Sequence, residues 1–166
     1  EKWGFFARLF LKLSEWIAFK TANVLIADNR ALRSFLYQRY GRQAELIAYG
    51  GDHVDTDPGG SLDQPGLPQR FALALCRIEP ENNVRLILET FANGAQIPLV
   101  FVGNWNNSDY SKSLFEEFGD VEGICLLQPV YDPKALGRLR KAALLYVHGH
   151  SAGGTNPSLV EAIHYG

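Results

Sequence analysis

The sequence predicts an α/β protein built on a Rossmann-like parallel sheet flanked by helices, and three observations carry that reading. Four short apolar runs, Phe71 to Cys76, Leu99 to Val102, Ile124 to Leu127 and Ala143 to Val147, alternate with helical stretches at Val84 to Ala92, Tyr110 to Phe118, Pro133 to Lys141 and from Pro157 onward. Alternation of this kind builds βαβ units and hence a parallel sheet. The runs are apolar throughout rather than every second residue, as strands covered by helices on both faces must be. The segments that follow the runs carry Arg77, Gly103-Asn104, Gln128-Pro129-Val130-Tyr131 and residues 148–156, a polar and glycine-rich set. In an open parallel sheet, ligands bind outside the carboxyl ends of the strands.

Ahead of this region, apolar residues recur at three- and four-residue spacing from Lys2 to Lys20: Trp3, Phe6, Leu9, Phe10, Leu13, Trp16, Ile17 and Phe19, with Lys and Arg between them. The spacing predicts one long amphipathic helix. A basic, aromatic helix of this kind either packs on another domain or lies on a membrane surface. Asn23 to Ala27 reads as a short buried strand, and Asp28 or Asn29 as the cap of a helix from Arg30 to Tyr40 that Gly41 ends. Glu45 to Tyr49 reads as a further short strand, broken by Gly50 and Gly51. Residues 55–69 hold three prolines and three glycines with little apolar content, the composition of a linker. The expected organisation is therefore an N-terminal segment at 1–54, a linker at 55–69, and the regular α/β domain at 70–166.

The last nineteen residues, His148 to Gly166, follow the final apolar run with a Gly-Gly-Thr-Asn loop and a helix start at Pro157. Such a junction presents unpaired backbone N–H groups, and its glycines let the backbone approach a ligand closely. Glu161 lies one turn into that helix, and an acid beside a phosphate site holds a neutral hydroxyl such as a ribose rather than the anion itself. The other reading is a tight turn whose glycines satisfy sterics, with Glu161 merely favouring the helix dipole. Arg77, at a strand's carboxyl end, suits a phosphate because its planar fork grips two oxygens, or it pairs with Glu79 or Glu81.

Several classes are disfavoured. At 166 residues, the chain holds one full core or two small lobes; 46% hydrophobic and 20% charged residues describe an ordinary globular protein. A net charge of −2 gives no electrostatic reason to expect nucleic acid. Cys76 and Cys125 sit inside apolar runs and read as small buried hydrophobes, which makes a reducing compartment the default. No apolar stretch approaches the length that spans a bilayer. His148 and His150 have the i, i+2 spacing of a metal pair on a strand face, yet no third ligand follows at a recognised spacing, so no metal is expected. Neither a Gly-x-Gly-x-x-Gly after the first strand, nor a Gly-Lys-Ser/Thr phosphate loop, nor a Gly-x-Ser-x-Gly elbow occurs.

Taken together, Arg77-Ile78-Glu79-Pro80-Glu81-Asn82-Asn83 and Gly153-Gly154-Thr155-Asn156-Pro157-Ser158-Leu159-Val160-Glu161-Ala162 resemble the donor half of retaining GT-B glycosyltransferases of the group 1, family 4-like type. The chain is most similar to the rhamnosyltransferase-like branch of bacterial surface-polysaccharide enzymes. The resemblance implies transfer of a sugar, rhamnose by that branch, from a nucleotide-diphosphate donor to a saccharide or lipid-linked saccharide acceptor, with no metal or other cofactor. It matches Arg77 to the diphosphate arginine, with Asn82 standing where a lysine would, and Gly154, Thr155 and Asn156 to the loop that meets the diphosphate. Glu161 matches the glutamate that binds the donor ribose, Val130 and Tyr131 fall where the nucleobase lies, and Gly153, with His150, falls on the donor-sugar side. Gly153 replaces the family's first glutamate, so the catalytic residues do not carry over. The resemblance further implies that residues 21–54 end an acceptor-side domain and residues 70–166 form most of the donor-side domain. The chain is then a fragment of a longer cytoplasmic enzyme, at most peripheral at the inner membrane, and by itself is expected to bind nucleotide weakly without turnover. A non-catalytic nucleotide- or sugar-binding module is the alternative, favoured by the loss of the glutamate and the lysine.

Overall fold

The computed structural model describes residues 4–60, 62, 66–151 and 154–165. The chain forms two compact units, residues 1–49 and 50–166. In the first, helix α1 (Phe5–Thr21) precedes strand β1 (Ile26–Ala27), helix α2 (Arg30–Tyr40) and strand β2 (Glu45–Leu46). β1 and β2 pair in parallel, Ile26 opposite Glu45 and Ala27 opposite Leu46. The start and stop signals around α2 work as the sequence indicates. Asn29 Oδ1 accepts the Leu32 N–H at 2.7 Å, and Gly41 ends the helix in the left-handed conformation at φ 67°. Both expected five-residue strands shorten to two residues, because each has a partner only along Leu25–Ala27 and Glu45–Ile47. Ala27, Leu36 and Ala44 form a small core against Phe19, Leu25 and Tyr40.

The second unit holds β3 (Ala72–Leu75), a 3₁₀ turn at Pro80–Asn82, α3 (Val84–Ala92), β4 (Leu99–Val102), α4 (Asp109–Phe118), β5 (Ile124–Leu127), α5 (Pro133–Ala142), β6 (Leu145–Val147) and α6 (Pro157–Ile163). The four strands are all parallel, in the order β5-β4-β3-β6. That order is the first four strands of the doubly wound arrangement 3-2-1-4-5-6. The period-two alternation of strand side chains divides the core into two layers. On one face Ala72, Ala74, Leu99, Phe101 and Ile124 meet Val84, Ile87 and Leu88 of α3 and Leu114 and Phe118 of α4. On the other, Phe71, Leu73, Val100 and Val102 meet Leu139 and Leu136 of α5. Each strand thus has apolar residues on both faces, which is why the runs are continuous.

Within the segment read from composition as a linker, Asp55, Asp57, Leu62 and Leu67 have partners in this unit: Tyr165 Oη donates to the Asp55 carbonyl at 2.7 Å, Lys141 Nζ donates to Asp57 at 2.5 Å, and Leu62 and Leu67 pack on the second core layer. Cys76 and Cys125 are free thiols packed against the two layers, as their apolar context indicates. Trp105 is fully buried, and its Nε1–H donates to the Leu127 carbonyl at 2.9 Å, tying the segment after β4 to the end of β5.

Candidate functional site

The chain order determines where a crevice opens. From β3 it steps outward to β4 and β5 through α3 and α4 on one face. Helix α5 then crosses the other face and delivers β6 to the opposite side of β3. The connections leaving the carboxyl ends of β3 and β6 therefore diverge, and the gap between them is the switch point at which doubly wound sheets hold ligands.

The two segments at that point are stitched together. Asn83 Nδ2 donates to the Gly149 carbonyl at 2.7 Å, and both the backbone N–H and the hydroxyl of Ser151 donate to the Glu81 carbonyl, at 3.1 and 2.9 Å. Their approach requires Gly149, since a Cβ there would lie 2.5 Å from the Asn82 carbonyl oxygen. Asn83 takes a left-handed backbone, φ 51°, so that the 3₁₀ turn can lead into α3.

Of the residues matched to a diphosphate, Arg77 is exposed at the end of β3, with its backbone carbonyl held by Glu79 N–H and by Asn82 Nδ2 at 2.8 Å. Asn82 is buried, and its amide is spent on that bond; it shapes the loop from inside and presents no side chain to the crevice. Asn156 is engaged at both ends of its amide. Its Oδ1 accepts the Leu159 N–H at 3.2 Å and caps α6, while its Nδ2 lies 3.0 Å from His150 Nε2. An amide nitrogen only donates, so Nε2 is the acceptor and the neutral His150 carries its proton on Nδ1. The ring of His150 stacks on His148, centroids 4.4 Å apart. Burial first, then the charges of His148 and Arg77, push the pKa of His150 below its ordinary value, which favours that neutral form. Gly154 is exposed and Thr155 half-buried, whereas Gly153 lies outside the described residues.

Tyr131 and Glu161 line one cleft of about 400 Å³, together with His53, Lys134, Arg140 and Tyr165. Tyr131 is 86% exposed, while Val130 turns inward against the second core layer. The Glu161 carboxylate is not isolated. Oε2 accepts from Nη2 of the buried Arg140, and Oε1 lies 3.2 Å from Nε2 of the exposed His53. Just after β3, burial pushes the Cys76 thiol up to a pKa of about 12, which removes it as a nucleophile. Tyr146, whose hydroxyl donates to the Leu75 carbonyl at 3.0 Å, is pushed up likewise by burial.

Arg140, His53 and Asn83 were not singled out from sequence. Arg140 sits in the basic run Arg138-Leu139-Arg140-Lys141, which reads as the solvated last turn of a helix. Its signal is the spacing: Leu136, Leu139, Arg140 and Ala143 share one face of α5, and an arginine on an apolar stripe needs a buried partner. His53 had no comparable signal, because its contact to Glu161 spans 108 positions. Among the described residues, no three His, Cys, Asp or Glu side chains group as metal ligands would.

No protein-family model matches the sequence, and no curated protein matches it. Among solved structures, the crystal structure of TarM is similar to the chain with a TM-score of 0.63 at 16% sequence identity. The match covers 92% of this chain and 30% of the TarM chain. The architecture held in common is the Rossmann-like half of a GT-B fold.

Proposed function

We propose that this chain is the donor-binding part of a GT-B glycosyltransferase, which transfers a sugar from a nucleotide-diphosphate donor with retention to a saccharide or lipid-linked saccharide acceptor in surface-polysaccharide synthesis. The observation that supports the reading is that Tyr131 and Glu161 line one cleft, while the segments that leave β3 and β6 are joined at the switch point by the Asn83–Gly149 and Ser151–Glu81 bonds. TarM, which has the same architecture, is a glycosyltransferase of the GT-B type.

In this reading, the base stacks on Tyr131 and Glu161 accepts the ribose hydroxyls. At a rise of about 1.5 Å per residue, the five positions from Asn156 to Glu161 span roughly 7 Å, comparable with the reach from a ribose to its diphosphate. Arg77 and the backbone N–H groups of residues 154–156 offset the charge of the leaving diphosphate without a metal, so positioning and electrostatics supply the rate. His150, neutral and held by Asn156, stands on the donor-sugar side. Rhamnose is the sugar that the sequence resemblance favours. By itself, this chain binds nucleotide weakly and does not transfer.

Calorimetry with UDP, GDP and dTDP tests the binding step. One of the three should bind more tightly than its nucleoside, and Glu161→Gln should weaken it about tenfold; absence of binding by all three would overturn the proposal. A non-catalytic nucleotide-binding module is the second reading, favoured by the buried Asn82 where the family holds a cation. Sugar transfer by a longer form of the protein, unaffected by EDTA, distinguishes the enzyme from the module.

A further inference from the structure

Helix α1 buries none of its residues, and its large apolar side chains are exposed, Phe6 at 83%, Phe5 at 74% and Phe10 at 68%. At 100° per residue, Phe5, Trp16, Leu9, Leu13, Phe6, Ile17 and Phe10 fall within an arc of about 140°, a continuous stripe. Arg8 and Lys12 flank one edge of that arc, and Lys20 stands at its C-terminal end. The helix's one described acid, Glu15, lies beyond Arg8 on the opposite side, where it accepts from the Tyr40 hydroxyl of α2. That contact, with the stacking of Phe19 on Tyr40 at 3.9 Å between centroids, fixes which side of α1 faces α2 and leaves the stripe outward.

A groove of about 460 Å³ opens beside the stripe, lined by Trp16, Phe19, Lys20, Arg39, Tyr40 and Arg42. Arg42 donates to the Phe19 and Ala22 carbonyls and Arg39 Nε to the Tyr40 hydroxyl, so these two contribute mainly charge beside Lys20, and three positive charges among three aromatic rings suit an anionic headgroup at an apolar boundary. Charge is divided along the chain in the same sense. Residues 1–49 carry eight Lys and Arg against four Asp and Glu, a net +4, while residues 50–166 carry eight against fourteen, a net −6. Among the described residues, no helix is long and apolar enough to cross a membrane.

From this we infer that α1 and the Lys20–Arg39–Arg42 groove form a docking surface for an anionic lipid bilayer, the stripe inserted at the headgroup boundary and lipid phosphates in the groove. A basic unit with an outward aromatic stripe is complementary to an acidic apolar surface; a second copy of the same face would bring like charges together. The inference is independent of what the second unit binds.

Flotation of the full chain with vesicles of phosphatidylcholine alone, or mixed equally with phosphatidylglycerol, tests it. The protein should float with the mixed vesicles and not with the neutral ones, and molar salt should release it. Phe6→Glu with Phe10→Glu should abolish flotation, and Lys12→Glu should lower partitioning by roughly an order of magnitude. Both phenylalanines are exposed, so an unchanged melting temperature certifies the fold of the variant. Quenching of Trp16 by lipids brominated on the acyl chain gives a second readout, tested against Trp16→Phe. No flotation with the mixed vesicles, equal flotation with both, or a self-associated chain that Phe6→Glu renders monomeric without any lipid binding would each overturn the inference.

Discussion

The guanidinium of Arg140, buried on α5, is hydrogen-bonded to the carboxylate of Glu161 on α6, and through it one wall of the cleft is braced against the other. Arg140 is 8% exposed, Glu161 is the acid it pairs with, and among the described residues its Nε is buried with no hydrogen-bond partner. Removing one member of a buried pair leaves the other desolvated and alone. Arg140→Met should therefore destabilise the chain by about 2 kcal/mol in urea unfolding, below the full buried-pair cost because Glu161 is partly exposed. Because Glu161 would then be held only by His53, nucleotide affinity should fall as well. Arg140→Lys should restore part of the stability but less of the affinity, since an ammonium lacks the planar fork that orients the carboxylate. An Arg140→Lys variant that loses neither stability nor affinity would show that charge alone matters.

Tyr131 separates binding from stability. Its ring is 86% exposed at the mouth of the cleft and joins neither core layer, while its neighbour Val130 packs inward. Loss of a stacking platform costs on the order of 1–3 kcal/mol per base. Tyr131→Ala should weaken nucleotide binding about tenfold or more and leave the urea midpoint unchanged, whereas Val130→Ala should do the reverse. Calorimetry and urea unfolding of the two variants check this together.

The sheet was legible because its evidence is local. Val84–Ala92 carries a helical period, Leu99–Val102 and Ile124–Leu127 are continuous apolar runs, and the structure keeps the bounds of all three. Strands β1 and β2 were read too long because apolar content reports the tendency to pair, not the presence of a partner. In the cleft, single residues were legible and their couplings were not. Glu161 stood out by its place after a glycine-rich loop, but its contacts reach 21 positions back to Arg140 and 108 back to His53. Asn82 was matched to the diphosphate by resemblance alone, and only packing reveals that it is buried with its amide donating to the Arg77 carbonyl.

Asn83 and Gly149 test the stitch between the two loops. Asn83 combines a left-handed backbone with a side-chain bond to the Gly149 carbonyl, two features with opposite responses to glycine. Asn83→Gly loses the bond but keeps the conformation at no steric cost, whereas Asn83→Ala loses both, so alanine should be worse by about 1 kcal/mol. Gly149→Ala should be worse than either, because the added Cβ would meet a backbone oxygen at 2.5 Å that cannot swing aside. Thermal unfolding of the three variants gives the order; alanine and glycine equal at position 83 would refute the backbone argument.

His150 makes part of the stability depend on pH, with a definite sign. Its folded pKa lies below the ordinary value of 6.5, so between the two values the unfolded chain binds a proton that the folded chain refuses. Stability from the neutral ring is then fully present above about pH 6.5 and is lost as the pH falls from there towards the folded value. Burial is the first cause, ahead of the charges of His148 and Arg77, and the hydrogen bond acts in the same direction. Protonation converts Nε2 from acceptor to donor, and it then faces the Asn156 amide nitrogen, which also donates. His150→Gln cannot titrate, so the stability advantage of the wild type over it should be larger at about pH 7.5 than at about pH 5.5. The measurement is the urea midpoint of both proteins at the two pH values. A gap that stays constant or widens in acid would mean that His150 is not held neutral by Asn156 in the folded chain.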